Sequence, residues 1–185
     1  MTREESLNII NEHVKNANSI KHMLATEAIM KAIAGHFDEN VEEWSLAGLL
    51  HDLDMEKADY RNHPELHGPE TVRILLEKGV AKEILDAILA HNEATGKIRE
   101  TLIEKCLYAV DPLTGLIVAS ALVLPNKKLA DVKTKSIIKR FKEPRFAAGA
   151  NREAIKSIES VGLSLEQFIE IGLKAMQEIN ADLGL

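Results

Sequence analysis

Leu49-Leu50-His51-Asp52-Leu53-Asp54 places an adjacent His-Asp pair at the end of an apolar run with helical spacing. Successive side chains on a helix point about 100° apart, so the pair is badly placed to act as a hydrogen-bonded acid and base. Both side chains can, however, ligate a metal ion seated over a helix end. Completing such a site takes ligands from other helices, and the chain offers His22, His67, His91 and Asp111. The order His, His-Asp, His, His, Asp is a nitrogen and carboxylate set suited to one divalent transition metal, with ligands enough for a second. Taken singly, each residue has an ordinary explanation: a core histidine bonded to a carbonyl for His22 or His91, a turn carboxylate before proline for Asp111. Asp52 is harder to explain in that way. A carboxylate at the buried end of an apolar helix loses solvation at a cost of several kcal/mol unless a cation or donors compensate it.

Outward from this stretch the pattern is helical throughout. Apolar residues make up 45% of the 185, aromatics only 4%, and the apolar positions recur at helical rather than alternating spacing. The expectation is an all-α, compact helical bundle. It forms one domain over 1–185, with a metal-binding core over about 19–125 and C-terminal helices over about 126–185.

Helices are expected over Arg3 to Lys15, from Ser19 as N-cap to Ala34 with Gly35 as the stop, and over Val41 to Leu53. His22, Thr26, Ile29 and Ile33 then share one face, as do Trp44, Ala47, Leu50 and His51. Glu56 to Pro69, with two prolines and a glycine, reads as a loop crossing the end of the third helix. Helices resume over Glu70 to Lys78 and Ala81 to Asn92, the second with Ile84, Ile88 and His91 on one stripe. A helix from Arg99 is expected to end near Asp111, because proline biases its predecessor out of helix, and Pro112 to open another through Leu124. Thr134 to Lys142, Asn151 to Ser160 and a helix capped by Ser164 and Gln167 complete the chain.

Charge and cysteine content exclude some function classes. The net charge of −6 argues against duplex nucleic acid as a partner. Lys127 to Arg145 nevertheless holds eight basic residues against two acidic ones. Most of these suit a solvated face, while one or two can meet an anionic substrate. Cys106 stands alone, which precludes an internal disulfide and fits a small buried core residue. The absence of a long uncharged apolar run or an apolar leader points to a cytoplasmic protein without membrane association. Oligomeric state is not legible.

With these residues in place the chain resembles the HD-domain superfamily of metal-dependent phosphohydrolases, through His22, His51, Asp52 and Asp111. It is most similar to small stand-alone members with a His-Asp-(Ile/Leu)-Asp core, the HDIG type, followed by a loop and a His before a helix. Here these are Leu49 to Asp54, then His67 and the Glu70 to Lys78 helix. His91 matches the later His of the two-metal subgroup, and Arg145-Phe146-Ala147, Gly149 and Asn151-Arg152-Glu153 resemble close relatives of unknown substrate. Two departures stand out: Asn92 where many members have His or Glu, and two histidines, His63 and His67, for one loop role.

The resemblance implies a metal-dependent phosphohydrolase that hydrolyses a small phosphate ester or nucleotide by a metal-activated water, monoesterase and diesterase being unresolved. The implied cofactor is manganese, iron, nickel, cobalt or zinc, with magnesium admissible. One ion would be held by His22, His51, Asp52 and Asp111, and a second would use His67 and His91 with Asp52 as bridge. Asp54 and Glu56 are candidates for orienting ligands or moving protons, and Asp54 suits a solvated turn equally well. Lys57, Arg61, His63, Arg145 and Arg152 are candidates for substrate contact. Two other readings remain: a di-iron HD-type oxygenase, and a non-catalytic, metal-stabilised nucleotide-binding domain.

Overall fold

The computed structural model describes residues 1–57, 59–60 and 62–185. In chain order the helices are α1 (Arg3–His13), α2 (Ala17–His36), α3 (Val41–Leu50), α4 (Pro69–Glu77), α5 (Lys82–His91), α6 (Leu102–Leu122), α7 (Thr134–Phe141), α8 (Arg152–Lys156), α9 (Leu165–Glu178) and α10 (Asn180–Leu183). Short 3-10 turns occupy Pro64–Leu66, Glu93–Thr95, Leu129–Asp131 and Ser157–Val161. Among the described residues there is no strand, and a single apolar core runs from Ile9 to Leu183. The fold is all-α and single-domain, as the periodicity predicts.

α2 and α6 are the central helices. α2 packs against α3, α6 and α9, and α6 against α5, α7 and α8. The four-residue face of α2 behaves as its spacing requires: Thr26, Ile29 and Ile33 are fully buried and His22, one turn earlier, is partly exposed. α2 and α3 approach closely because Gly48 has no side chain. A Cβ there would lie 2.8 Å from the Thr26 carbonyl oxygen.

Of the expected boundaries that differ, four bear on the helices that position the site. α2 begins two residues before Ser19, because Asn16 is the cap: its Oδ1 accepts from the N–H groups of Asn18 and Ser19. Gly35 lies inside α2. The helix ends instead where Phe37 bonds back to Ile33 and Ala34 and Asp38 turns left-handed at φ 55°. α3 stops at Leu50, not Leu53, and His51 takes the C-cap.

The fourth difference concerns Pro112, which lies inside one unbroken helix, α6, rather than between two. Proline removes the bond to the Tyr108 carbonyl and costs about 3 kcal/mol. Leu107, Val110, Leu113 and Ile117 are all fully buried on both sides of it. Burying one such side chain is worth roughly 1.5–3 kcal/mol, so a continuous apolar face outweighs the local penalty.

Candidate metal centre

Four helices and one turn deliver the predicted ligands to one place. α2 supplies His22, the end of α3 supplies His51 and Asp52, the last residue of α5 is His91, and the middle of α6 carries Asp111. The turn before α4 supplies His67. His51, the C-cap of α3, keeps helical backbone angles at φ −60° and ψ −30°, and its Nε2 lies 3.2 Å from the Asp52 carboxylate.

The ring protons can be followed from nitrogen to partner. His51 Nδ1 donates to the Gly48 carbonyl at 2.8 Å, and His91 Nδ1 to that of Ile88. His67 Nδ1 donates to Asp54 Oδ1 at 2.7 Å. His22 Nδ1 lies 2.9 Å from Thr114 Oγ1, whose own proton goes to the Asp111 carbonyl, so the hydroxyl accepts from the ring. With Nδ1 committed in all four, a neutral ring presents its Nε2 lone pair to the interior of the cluster. These lone pairs face one another: His22 and His51 Nε2 are 3.1 Å apart, and His67 and His91 Nε2 2.9 Å. Asp52 stands between the two pairs, 3.4 Å from His22, 3.3 Å from His67 and 3.6 Å from His91, and Asp111 is 3.0 Å from His22.

Converging lone pairs and carboxylates require positive charge. In the protein alone, protons supply it. Burial opposes ionisation of His22 and His67, but Asp111 and Asp52 hold the first up at about 9, and Asp52 and Asp54 hold the second at about 10. Burial pushes His51 down to about 4. Asp52 is fully enclosed, yet the surrounding imidazoles keep it well below the usual carboxylate range. A divalent ion fits the same demand. Ligands at about 2.1 Å from a metal and at right angles to each other lie about 3 Å apart, the spacing of these donors. His22, His51 and Asp52 form one triad able to hold an ion and Asp52, His67 and His91 a second, with Asp52 common to both.

The remaining candidates are placed differently. Asp54 is fully buried and holds the loop ligand: besides His67 it accepts from the N–H groups of Gly68 and Thr71, and its own N–H donates to Thr71 Oγ1. Glu56 accepts from the N–H groups of Lys15 and Asn16, which ties the crossing loop to the α1–α2 junction. Lys57 Nζ lies beside His13 Nδ1. Arg61 lies outside the described residues. His63 is exposed beside Glu65, and His67, four residues on, occupies the cluster. Arg145 is exposed.

Arg152 is turned away from the anion-contact role expected of it. Its guanidinium donates to the carbonyls of Phe141, Phe146, Ala147 and Ala150 and so fastens the loop before α8. Two positioning residues escape the sequence reading. Thr114 orients His22, and Asn92 Nδ2 donates to the carbonyls of Pro64 and His67, locking the loop to the end of α5. The departure at Asn92 from the resembled pattern was visible, but not its partner carbonyls.

The family model of the HD domain matches residues 19–116, more than half of the chain, and spans every member of the cluster from His22 to Asp111. The chain belongs to the HD domain family. No curated protein and no solved structure matches it. HD domains bind divalent metals and form a superfamily of metal-dependent phosphohydrolases, and this HD domain carries His and Asp groups able to hold such an ion. No helix among the described residues is long and apolar enough to cross a membrane.

Proposed function

We propose that this HD domain is a metal-dependent phosphohydrolase acting on a small phosphate ester. The observation that supports the reading best is the pair of triads sharing Asp52, with their lone pairs turned inward. A divalent transition metal held by His22, His51, Asp52 and Asp111, with a second at His67 and His91, would supply Lewis acidity that activates water and offsets charge on the phosphoryl oxygens.

The chain's own residues do the positioning. His51 and His91, buried and fixed through Nδ1 to carbonyls of their own helices, are a rigid floor. Asp54 sets the tautomer and direction of His67, and Thr114 sets those of His22. His22 and Asp111 are the more exposed members, at 25% and 34% of the side chain, so substrate approaches from their side while Asp52, 2% exposed, stays shielded from bulk water.

The test is a phosphoester panel on protein loaded in turn with manganese, iron, nickel, cobalt, zinc and magnesium. Turnover that falls at least about a hundredfold in Asp52→Ala is the expected result. Absence of turnover with every ester and metal would contradict the proposal.

A further inference from the structure

One face of α2 carries more than a metal ligand. Asn18, Lys21, His22 and Ala25 follow one another at steps of three, one and three, a spacing that keeps them on one side of the helix. That side lines a hollow of about 470 Å³ whose opposite wall is α6, through Thr114, Gly115, Val118 and Leu122. His22 is the one member of the cluster in its wall. A second hollow, of about 490 Å³, shares His22 and Thr114 with the first and extends to Asp111. The space beside Lys21 therefore adjoins the space over the exposed ligands.

Lys21 brings a positive charge to this wall that the chain does not neutralise. Among the described residues the lysines and arginines in ion pairs are Arg3, Arg73, Lys82, Lys97 and Arg99, and Lys21 is not one of them. No side chain lining the hollow is acidic, and Leu185, which also lines it, makes no ion pair with Lys21. The amine rests over a residue without a side chain: Gly184 is left-handed at φ 71°, and a Cβ on it would lie 3.0 Å from Lys21 Nζ. Asn18 adds a second donor, since the α2 cap uses its backbone N–H and not its side chain. By contrast Lys57, Arg145 and Arg152, the described cations expected to meet substrate, line none of the hollows that His22 or Asp111 lines.

We infer that Lys21, with Asn18, binds a second anionic group on the alcohol part of the phosphate ester, and so selects substrates that carry one. This rests on the phosphohydrolase reading, in which metal at the cluster offsets the charge of the scissile phosphate. Lys21 is not needed for that charge, because the hollow it lines touches the cluster only at His22. A carboxylate or a further phosphate in this hollow accepts from the ammonium and from the Asn18 amide. A charge-assisted hydrogen bond is roughly twice as strong as a neutral one, and a partly buried wall screens it less than open water does. A neutral group in the same place gains only ordinary hydrogen bonds, so Lys21 discriminates by charge. Hydrolysis forms one P–O bond from water and breaks the ester P–O bond. One water hydrogen goes to the departing alcohol, and the other stays with the phosphate product.

The probes are 4-carboxyphenyl phosphate and 4-(carboxymethyl)phenyl phosphate, each beside its amide, which has the same shape without the second charge. On metal-loaded protein at least one acid should exceed its amide in kcat/KM by about tenfold or more, and Lys21→Met should cut that ratio by at least about fivefold. Lys31→Met is the control, since Lys31 is exposed on the same helix and lines a hollow elsewhere. It removes the same charge and should leave the ratio within about twofold of wild type. No preference for either acid, a ratio unchanged in Lys21→Met, or an equal fall in Lys31→Met overturns the inference. If none of the four esters is turned over, the hydrolase reading fails and the same compounds become unreactive ligands for calorimetry. Tighter binding of an acid than of its amide, lost in Lys21→Met and kept in Lys31→Met, then sustains the anion site. Equal or absent binding overturns it.

Discussion

Asp54 shows what a single side chain contributes around the cluster. It touches neither triad except through His67, and it spends its oxygens on that ring and on two backbone N–H groups. Asp54→Ala should therefore lower metal affinity about 10–100-fold while leaving the helical circular dichroism unchanged. A variant that binds metal as tightly as the wild type would show that His67 needs no orienting partner. Glu104 gives a pH test remote from the cluster. Burial opposes its charge, but the N–H groups of Thr101 and Glu100 and the nearby Lys97 outweigh burial and hold it below its ordinary 4.5. A depressed carboxylate stabilises the fold above the unfolded value of 4.5 and loses that contribution as pH falls through the folded value. Glu104→Gln should accordingly cost about 1–2 kcal/mol at neutral pH, with the gap to wild type closing as urea melts are taken below 4.5. A gap that is constant with pH would mean the carboxylate's charge contributes nothing.

Between elements the decisive contact is Gly48 against Thr26, where α3 meets α2. Alanine gains about 1 kcal/mol of helix propensity over glycine. A Cβ at 2.8 Å from a backbone oxygen cannot be absorbed by a side-chain rotation, so overpacking of about 1–3 kcal/mol should win. Gly48→Ala is expected to lower the urea midpoint and weaken metal binding together, because the helices it pushes apart carry His22 and His51. A raised midpoint with unchanged metal affinity would contradict this.

Sequence and structure part company at this scale for a definite reason. Apolar periodicity placed His22 with Thr26, Ile29 and Ile33, and His91 with Ile84 and Ile88, because burial repeats with the helix turn. The proline penalty at Pro112 was legible too, but not the buried faces on both sides that override it. The choice of His67 over His63 rested on its register with α4, and the structure places His67 in the cluster. Arg152 was legible as a cation near small residues. That its partners would be four carbonyls depends on the path of a loop whose shape no local pattern encodes.

Across the whole molecule the family match ends at residue 116, while the core continues through Ile137, Phe168, Leu173 and Met176, with α9 packed on α2. A chain ending at Pro125 should expose the α2 face below His22 and lose cooperative unfolding, as followed by urea denaturation. Retention of a cooperative transition would make the C-terminal helices an accessory layer. The central claim is that positive charge between four inward lone pairs and two carboxylates is supplied by metal, with Asp52 common to both triads. Elemental analysis of protein equilibrated with a divalent transition metal and then desalted measures this directly, on wild type and on Asp52→Ala with helical circular dichroism verified. The account predicts at least about one ion per chain in the wild type and less than about a tenth of that in the variant. Equal occupancy in the two proteins, or none in the wild type, would contradict it.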